Sequence, residues 1–257
     1  MDARTLEAAI GPRTKAILPV HIYGHPADLT AIGAVARRHG VPVIEDCAQA
    51  QDAAIDGHSV GTIGEVGCFS FYPTKTLGAL GDAGLVASTN RNLIDRMRLL
   101  RIYGWTRPQF SEIAGGRCSR LDELQAAILR VKLDRLTQDV ERRRRIAQRY
   151  NAGLAGLPLI LPYEKSGCRH VYHLYVVRSD RRDALARHLD LAGISTAIHY
   201  PFPVHVQPGL ASGARMPHPL LVTGKLAGEI LTLPLYPSMS DADQNRVVEA
   251  ANSFFNG

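Results

Sequence analysis

The sequence predicts an α/β protein: a large domain on a mostly parallel sheet, followed by a small C-terminal α+β domain. Three observations carry this. Short apolar runs alternate with helical patterns through the first half, a long helical stretch crosses the middle, and alternating strands with flanking helices follow it.

"KAILPVHIY" (Lys15 to Tyr23) reads as a mostly buried strand. "DLTAIGAVARRHG" follows as a helix, with Asp28 as N-cap and Gly40 as its stop. "VPVIED", "GEVGCFSFYP" and "AGLVAST" are further strands, and apolar strands separated by crossovers imply a covered, largely parallel sheet. "SRLDELQAAILRVKLDRLTQDVERRRRIAQRYNAGLAG" (Ser119 to Gly156) reads as one long helix capped by Ser119, with Leu121, Leu124, Ile128, Val131 and Leu136 at helical spacing. Beyond it, "HVYHLYVVRS" alternates as a half-buried antiparallel strand, "RDALARHLDLAG" is a helix, and "ISTAIHY" and "ILTLPLY" are short strands. "DADQNRVVEAANSFF" closes the chain as a helix capped by Asp241. The expected domains are residues 1–154, including the long helix, and 155–257.

With 46% hydrophobic and 21% charged residues, the chain has the composition of a compact globular protein rather than a disordered one. Its net charge of +6 owes much to "ERRRR" (Glu141 to Arg145), expected as a solvated helix face. No nucleic-acid module accompanies that charge, so nucleic acid is not expected, and an anionic small molecule suits the mild positive field better. Four cysteines without CxxC spacing suggest reduced thiols in a cytoplasm. No apolar run approaches membrane-spanning length, so no membrane association is expected. The close histidine pairs, His21/His25 and His170/His173, lack the helical HExxH pattern, and no metal site is expected.

The chemistry gathers in two stretches. In "VIEDCAQAQDA" an apolar strand ends on a carboxylate, Asp46, where ligands of parallel sheets collect. In "GCFSFYPTKTLGALGDAG" a lysine, Lys75, lies between a strand end and a glycine-rich turn. A lysine captures a carbonyl only when neutral, a state that burial promotes. A strand-end carboxylate suits the ring nitrogen of pyridoxal phosphate (PLP), which must stay protonated to draw electrons from a substrate α-carbon.

Together with "GGRCSRLDELQAAIL" and "IHYPFPVHVQP", these stretches resemble the DegT/StrS family of PLP-dependent sugar-nucleotide aminotransferases. The match runs in the family's order through nearly the whole chain. The resemblance implies the aspartate-aminotransferase-type (type I) fold, present in part, and PLP as cofactor. It makes Asp46 the partner of the pyridinium nitrogen, Gln49 a contact of the ring's phenolic oxygen, Ser70 a phosphate ligand and Lys75 the Schiff-base lysine. Glutamate would leave its amine on the cofactor, with the freed Lys75 moving the proton, and a nucleotide-linked keto sugar would receive it. The sugar implied is a dTDP-3-keto-deoxyhexose, with His199, Tyr200 and His205 near it and a homodimer as the working form.

Two departures qualify this. Family members begin with roughly a hundred more residues, so the chain is expected to be truncated at its N-terminus. Cys118 stands where the family usually has a phosphate-binding asparagine reaching across the dimer, and a thiol is a poorer donor than an amide. The alternative expectation is a non-catalytic remnant, or a PLP-binding partner of a full-length paralogue.

Overall fold

A computed structural model describes all 257 residues except 212, 214, 215, 217 and 218. Contacts divide it into two compact units, Met1–Val140 with Ser166–Val171, and Glu141–Lys165 with Tyr172–Gly257.

The first unit opens with α1 (Ala3–Ala9), capped by Asp2. Residues 15–23 are expected as a buried strand but form only parallel bridges at Ile17–Val43 and Val20–Asp46, and Leu18 and Val20 are exposed. Pro19 is the reason. Ile17, Pro19 and His21 all join the ladder, but Pro19 accepts from Asp46 N (2.9 Å) and has no N–H to return a rung. Next, α2 (Leu29–His39) forms as expected, with Asp28 Oδ1 accepting from Ala31 N and Gly40 left-handed at φ 61°. It buries Leu29, Ile32, Val35 and Ala36 against Leu6, Ile17 and Val43.

β1 (Ile44–Asp46) leads through β2 (Ala54–Ile55) and β3 (His58–Ser59) to β4 (Val66–Ser70) and β5 (Gly84–Ala87). The sheet order is β1-β4-β5, with β1 and β4 parallel in the register Asp46–Cys68. β5 is antiparallel to β4, Ser70 facing Gly84. The return between them carries no helix to make a parallel crossover, so the expected parallel character ends at β4.

α3 (Arg91–Leu100) and the hairpin of β6 (Trp105–Arg107) and β7 (Phe110–Ser111) precede the helical stretch. That stretch is two helices, α4 (Glu123–Leu133) and α5 (Leu136–Gly153). Ser119 does not cap it: its amide bonds Arg101 O, Cys118 bridges Ile102 in an extended segment, and Asp122 holds the N-cap position. β8 (Cys168–Arg169) pairs with β2.

The second unit packs Ile146 and Tyr150 of α5, and Leu154 just beyond it, against antiparallel β9 (Tyr175–Arg178) and β10 (Ile230–Leu233) and against α6 (Arg182–Leu191) and α9 (Asp241–Asn256). The short α7 (Pro208–Ala211) and α8 (Leu221–Glu229) lie between α6 and β10 in sequence. β9 does not alternate as expected: Tyr175, Val176 and Val177 are all buried because both faces are covered. "ISTAIHY" meets β10 only at the Ala197–Thr232 bridge. Ser240 caps α9 through Asp243 N, making Asp241 its first helical residue.

The arginine run is not the solvated face its charge suggests. Arg143 is buried, with Nη1 donating to the carbonyls of Tyr172 (3.3 Å), His173 (3.3 Å) and Leu235 (3.2 Å). Arg142 reaches Met239 O and Asp241, Arg144 pairs with Glu164, and Arg145 is exposed. No helix among the described residues is long and apolar enough to cross a membrane.

Candidate active site

Because β1 and β4 run parallel, their C-terminal ends deliver Asp46 and Ser70 to the same edge of the sheet. Asp46 Oδ1 accepts the Ala48 amide (3.0 Å), starting a tight turn that Ala50 N→Cys47 O continues. That turn buries Gln49, whose Oε1 accepts the amide of Tyr23 at 2.6 Å. The bond fixes which end of the amide is the acceptor and leaves NH2 as the donor side. Tyr23 sits at φ 60°, the left-handed region, which aims its N–H at Gln49. Gln51, also buried, sends Nε2 to Ser70 O (2.5 Å) and ties this turn to the end of β4. Ser70 Oγ accepts from Tyr72 N (3.3 Å).

Lys75 lies in the return that follows, half-buried, its amide bonded to Tyr72 O (2.8 Å). Burial pushes its ammonium below the ordinary lysine value, and the nearby Asp46 carboxylate partly opposes this. The structure therefore brings the strand-end carboxylate and the loop lysine within electrostatic reach. Burial, with Asp46 again contributing, pushes the neighbouring Cys68 thiol up. The hydroxyl oxygen of Thr76, next to Lys75, is buried without a hydrogen-bond partner.

Sequence reasoning passed over the residue beside Asp46. Glu45 is fully buried, and its carboxylate accepts from His21 Nε2 (3.0 Å), Gly61 N (2.6 Å), Ile63 N (2.9 Å) and Gly64 N (2.6 Å). Burial raises its pKa, but the bonds from His21, Gly64 and Gly61 outweigh that and hold it below the ordinary carboxylate value. The signal was available: side chains alternate along a strand, so if Asp46 faces the site, Glu45 faces the interior and needs partners. His21, Glu45 and Cys47 form a buried trio with metal-ligand atoms close together. Their bonding is that of a closed structural network. His21 Nδ1 accepts the Ala27 amide (2.9 Å), so its proton is on Nε2 and faces Glu45, and burial pushes the Cys47 thiol far up.

Cys118 belongs to the same unit as Lys75 but is exposed. Hydrogen bonds with Tyr103 and Arg120 hold its thiol below the ordinary value. His199, Tyr200 and His205 belong to the second unit. His199 Nδ1 meets Thr232 Oγ1 (2.8 Å) and burial lowers its pKa, Tyr200 packs edge-on against it, and His205 lies in a short turn, Val204–Val206.

The parallel strand pair ending in a carboxylate, with a half-buried lysine on the return, lies in an α/β chain that superposes on solved fold-type-I, PLP-dependent aminotransferases. The family model of the DegT/DnrJ/EryC1/StrS aminotransferases matches residues 1–252, and the chain belongs to that family. It is 47% identical over 262 residues to the dTDP-3-amino-3,4,6-trideoxy-alpha-D-glucose transaminase of Micromonospora megalomicea subsp. nigra, covering 100% of this chain and 70% of that one. The crystal structure of S. venezuelae DesV with a ketimine intermediate superposes with a TM-score of 0.94 at 43% identity, covering 100% of this chain and 69% of DesV. The Bacillus subtilis NtdA structure, with bound cofactor PMP, gives a TM-score of 0.91 at 31% identity over 100% of this chain and 60% of NtdA. Members of the family use PLP.

Proposed function

We propose that this protein transaminates a nucleotide-linked keto sugar, a dTDP-3-keto-deoxyhexose, with glutamate as amino donor and Lys75 and Asp46 as the residues that act on PLP. The observation that carries the reading is the half-buried Lys75 within the field of Asp46, on one sheet edge with Gln49 and Ser70.

The donor set fits the cofactor. Asp46 offers a carboxylate for a protonated ring nitrogen, the oriented NH2 of Gln49 a donor for a phenolic oxygen, and Ser70 a hydroxyl for phosphate. The partnerless Thr76 oxygen marks polar capacity beside Lys75 that the protein itself leaves unused. When bound, PLP supplies the electron sink that makes an amino acid's α-carbon acidic. Lys75 Nζ would hold the cofactor by its aldehyde carbon, with loss of water, and once released would carry the proton from the donor's α-carbon; burial, which lowers its pKa, favours the neutral amine this requires. Such positioned proton transfer contributes about 10²–10⁴-fold. Asp46 would accept a hydrogen bond from the protonated ring nitrogen.

Relatives named for dTDP-3-amino-sugar formation support this choice of sugar and nucleotide. His199, Tyr200 and His205 are assigned to the sugar. Cys118 takes the place of a phosphate donor contributed to a second copy of the chain, so the working form is a homodimer, acting in the cytoplasm.

The test is borohydride reduction after incubation with PLP, followed by peptide mass spectrometry. A pyridoxyl group on Lys75, its absence in Lys75→Arg, and a fall in kcat of about 10²-fold or more in that variant are expected. Labelling of another lysine in place of Lys75 overturns the assignment.

A further inference from the structure

Lys75 sits on an irregular return, and something must hold that return against the entropy of a loop. Its base is closed by Phe71 N→Ala83 O (2.9 Å) and Ala79 N→Phe71 O (2.8 Å). The residues after Lys75 are gripped from one side by α4. Gln125 Oε1 accepts the Leu80 amide (2.9 Å), and Lys132 Nζ donates to the Gly78 carbonyl (2.7 Å). Between them Leu129 packs against Leu77 and Ala79 in a small buried cluster. Positions 125, 129 and 132 are i, i+4 and i+7, a single helical face. One glycine lies against α4 and another allows the tightness of the return itself. A Cβ on Gly81 would come within 3.3 Å of Gln125 Nε2, and one on Gly78 would meet Pro73 O at 2.4 Å.

This face is not the one the apolar spacing predicts. Leu124 and Val131 belong to the expected stripe and are 69% and 71% exposed. The stripe that faces the protein is polar, apolar, polar, and both polar members bond main-chain groups that no secondary-structure ladder satisfies.

We infer that α4 is a splint for the Lys75 loop, and that Gln125 and Lys132 are positioning residues for the amine of Lys75. The inference rests on the proposed role of Lys75. Neither residue touches the reacting atoms; each acts through the loop backbone. Releasing Leu80 or Gly78 lets the return swing toward water, and Lys75 then loses burial around its amine.

The test uses the full chain without added PLP, so it reads the lysine and not the reaction. Trace labelling with acetic anhydride across the pH range of lysine titration, quantified by peptide mass spectrometry against free α-N-acetyl-lysine, gives the midpoint of Lys75. In Gln125→Ala, which keeps helix propensity, and in Gln125→Met, which refills the volume, that midpoint is expected to rise by about 0.5 unit or more toward the ordinary lysine value. Lys132→Met is expected to do the same, and Lys132→Arg, which keeps donor and charge, to restore the wild-type midpoint. Hydrogen exchange should quicken about tenfold or more in the peptide spanning residues 76–83, because the Leu80 amide loses its acceptor. An unchanged midpoint in both Gln125 variants overturns the inference. So does a shift in Lys132→Met alone, which reports a lost neighbouring cation, and so does global unfolding of both Gln125 variants, which makes the contact a support of the whole unit. Failure of PLP to attach to Lys75 in the wild-type chain would instead remove the functional reading, and the labelling result would still stand.

Discussion

Glu45→Gln is the sharpest perturbation of the ground beneath the site. Glutamine keeps the shape of the side chain and converts one acceptor oxygen into an NH2 group. Whichever way the amide lies, two donors lose their acceptor: His21 Nε2 and Gly61 N on one side, or Ile63 N and Gly64 N on the other. His21 cannot relieve this by changing tautomer without abandoning the Ala27 amide at Nδ1. A buried donor left without an acceptor costs about 1–3 kcal/mol, so the variant loses about 2–6 kcal/mol of a total of about 5–15. At about 2–4 °C per kcal/mol, the melting midpoint at neutral pH falls by roughly 4–24 °C.

The pH dependence adds a second, signed check. Glu45 is held below its ordinary value of 4.5 in the folded protein. Its contribution is therefore complete above that value and lost as pH falls through the lower folded pKa. Calorimetry of both proteins should show a gap that is widest near neutrality and closes on acidification. Equal melting at neutral pH, or a gap that widens in acid, would refute the reasoning.

Arg143→Met should destabilise the protein by about 1–3 kcal/mol for each buried carbonyl, of Tyr172, His173 and Leu235, that it leaves without a donor; Arg145→Ala, on the exposed side of the run, should leave thermal unfolding unmoved. Gly78→Ala places a Cβ against Pro73 O, a backbone atom that cannot rotate away, so the Lys75 return must shift. Borohydride-trapped pyridoxyl on Lys75 should drop about tenfold or more while unfolding stays cooperative.

What the sequence disclosed was whatever depends on neighbours along the chain. Asp28 and Gly40 cap α2 because caps are local hydrogen bonds and local backbone angles. Asp46 and Lys75 could be picked out as candidates because each stands at a punctuation point, a strand end and a glycine-rich turn. The rest depended on what lies across space. Ser119 looks like an N-cap, but its amide is already paired with Arg101 O, and no local rule reveals that competitor. Arg143 reads as solvated because its three carbonyl partners lie far along the chain. Glu45 hid behind Asp46, although strand alternation forces one of two adjacent carboxylates inward once the other faces a ligand.

The α4 face shows why apolar periodicity alone misplaced that helix. A stripe of leucines finds a core only where a partner surface exists, and on this chain the partner surface offered to α4 is an irregular backbone with a free amide at Leu80 and a free carbonyl at Gly78. Apolar side chains would bury those groups unpaired, at about 1–3 kcal/mol each. Gln125 and Lys132 satisfy them and fix the loop's register at the same time, since a hydrogen bond is directional where an apolar contact is not. On the proposed reading, Lys75 thus borrows rigidity from a regular element about three turns long. The burial that lowers its pKa would then depend on Gln125 and Lys132 as well as on the loop itself.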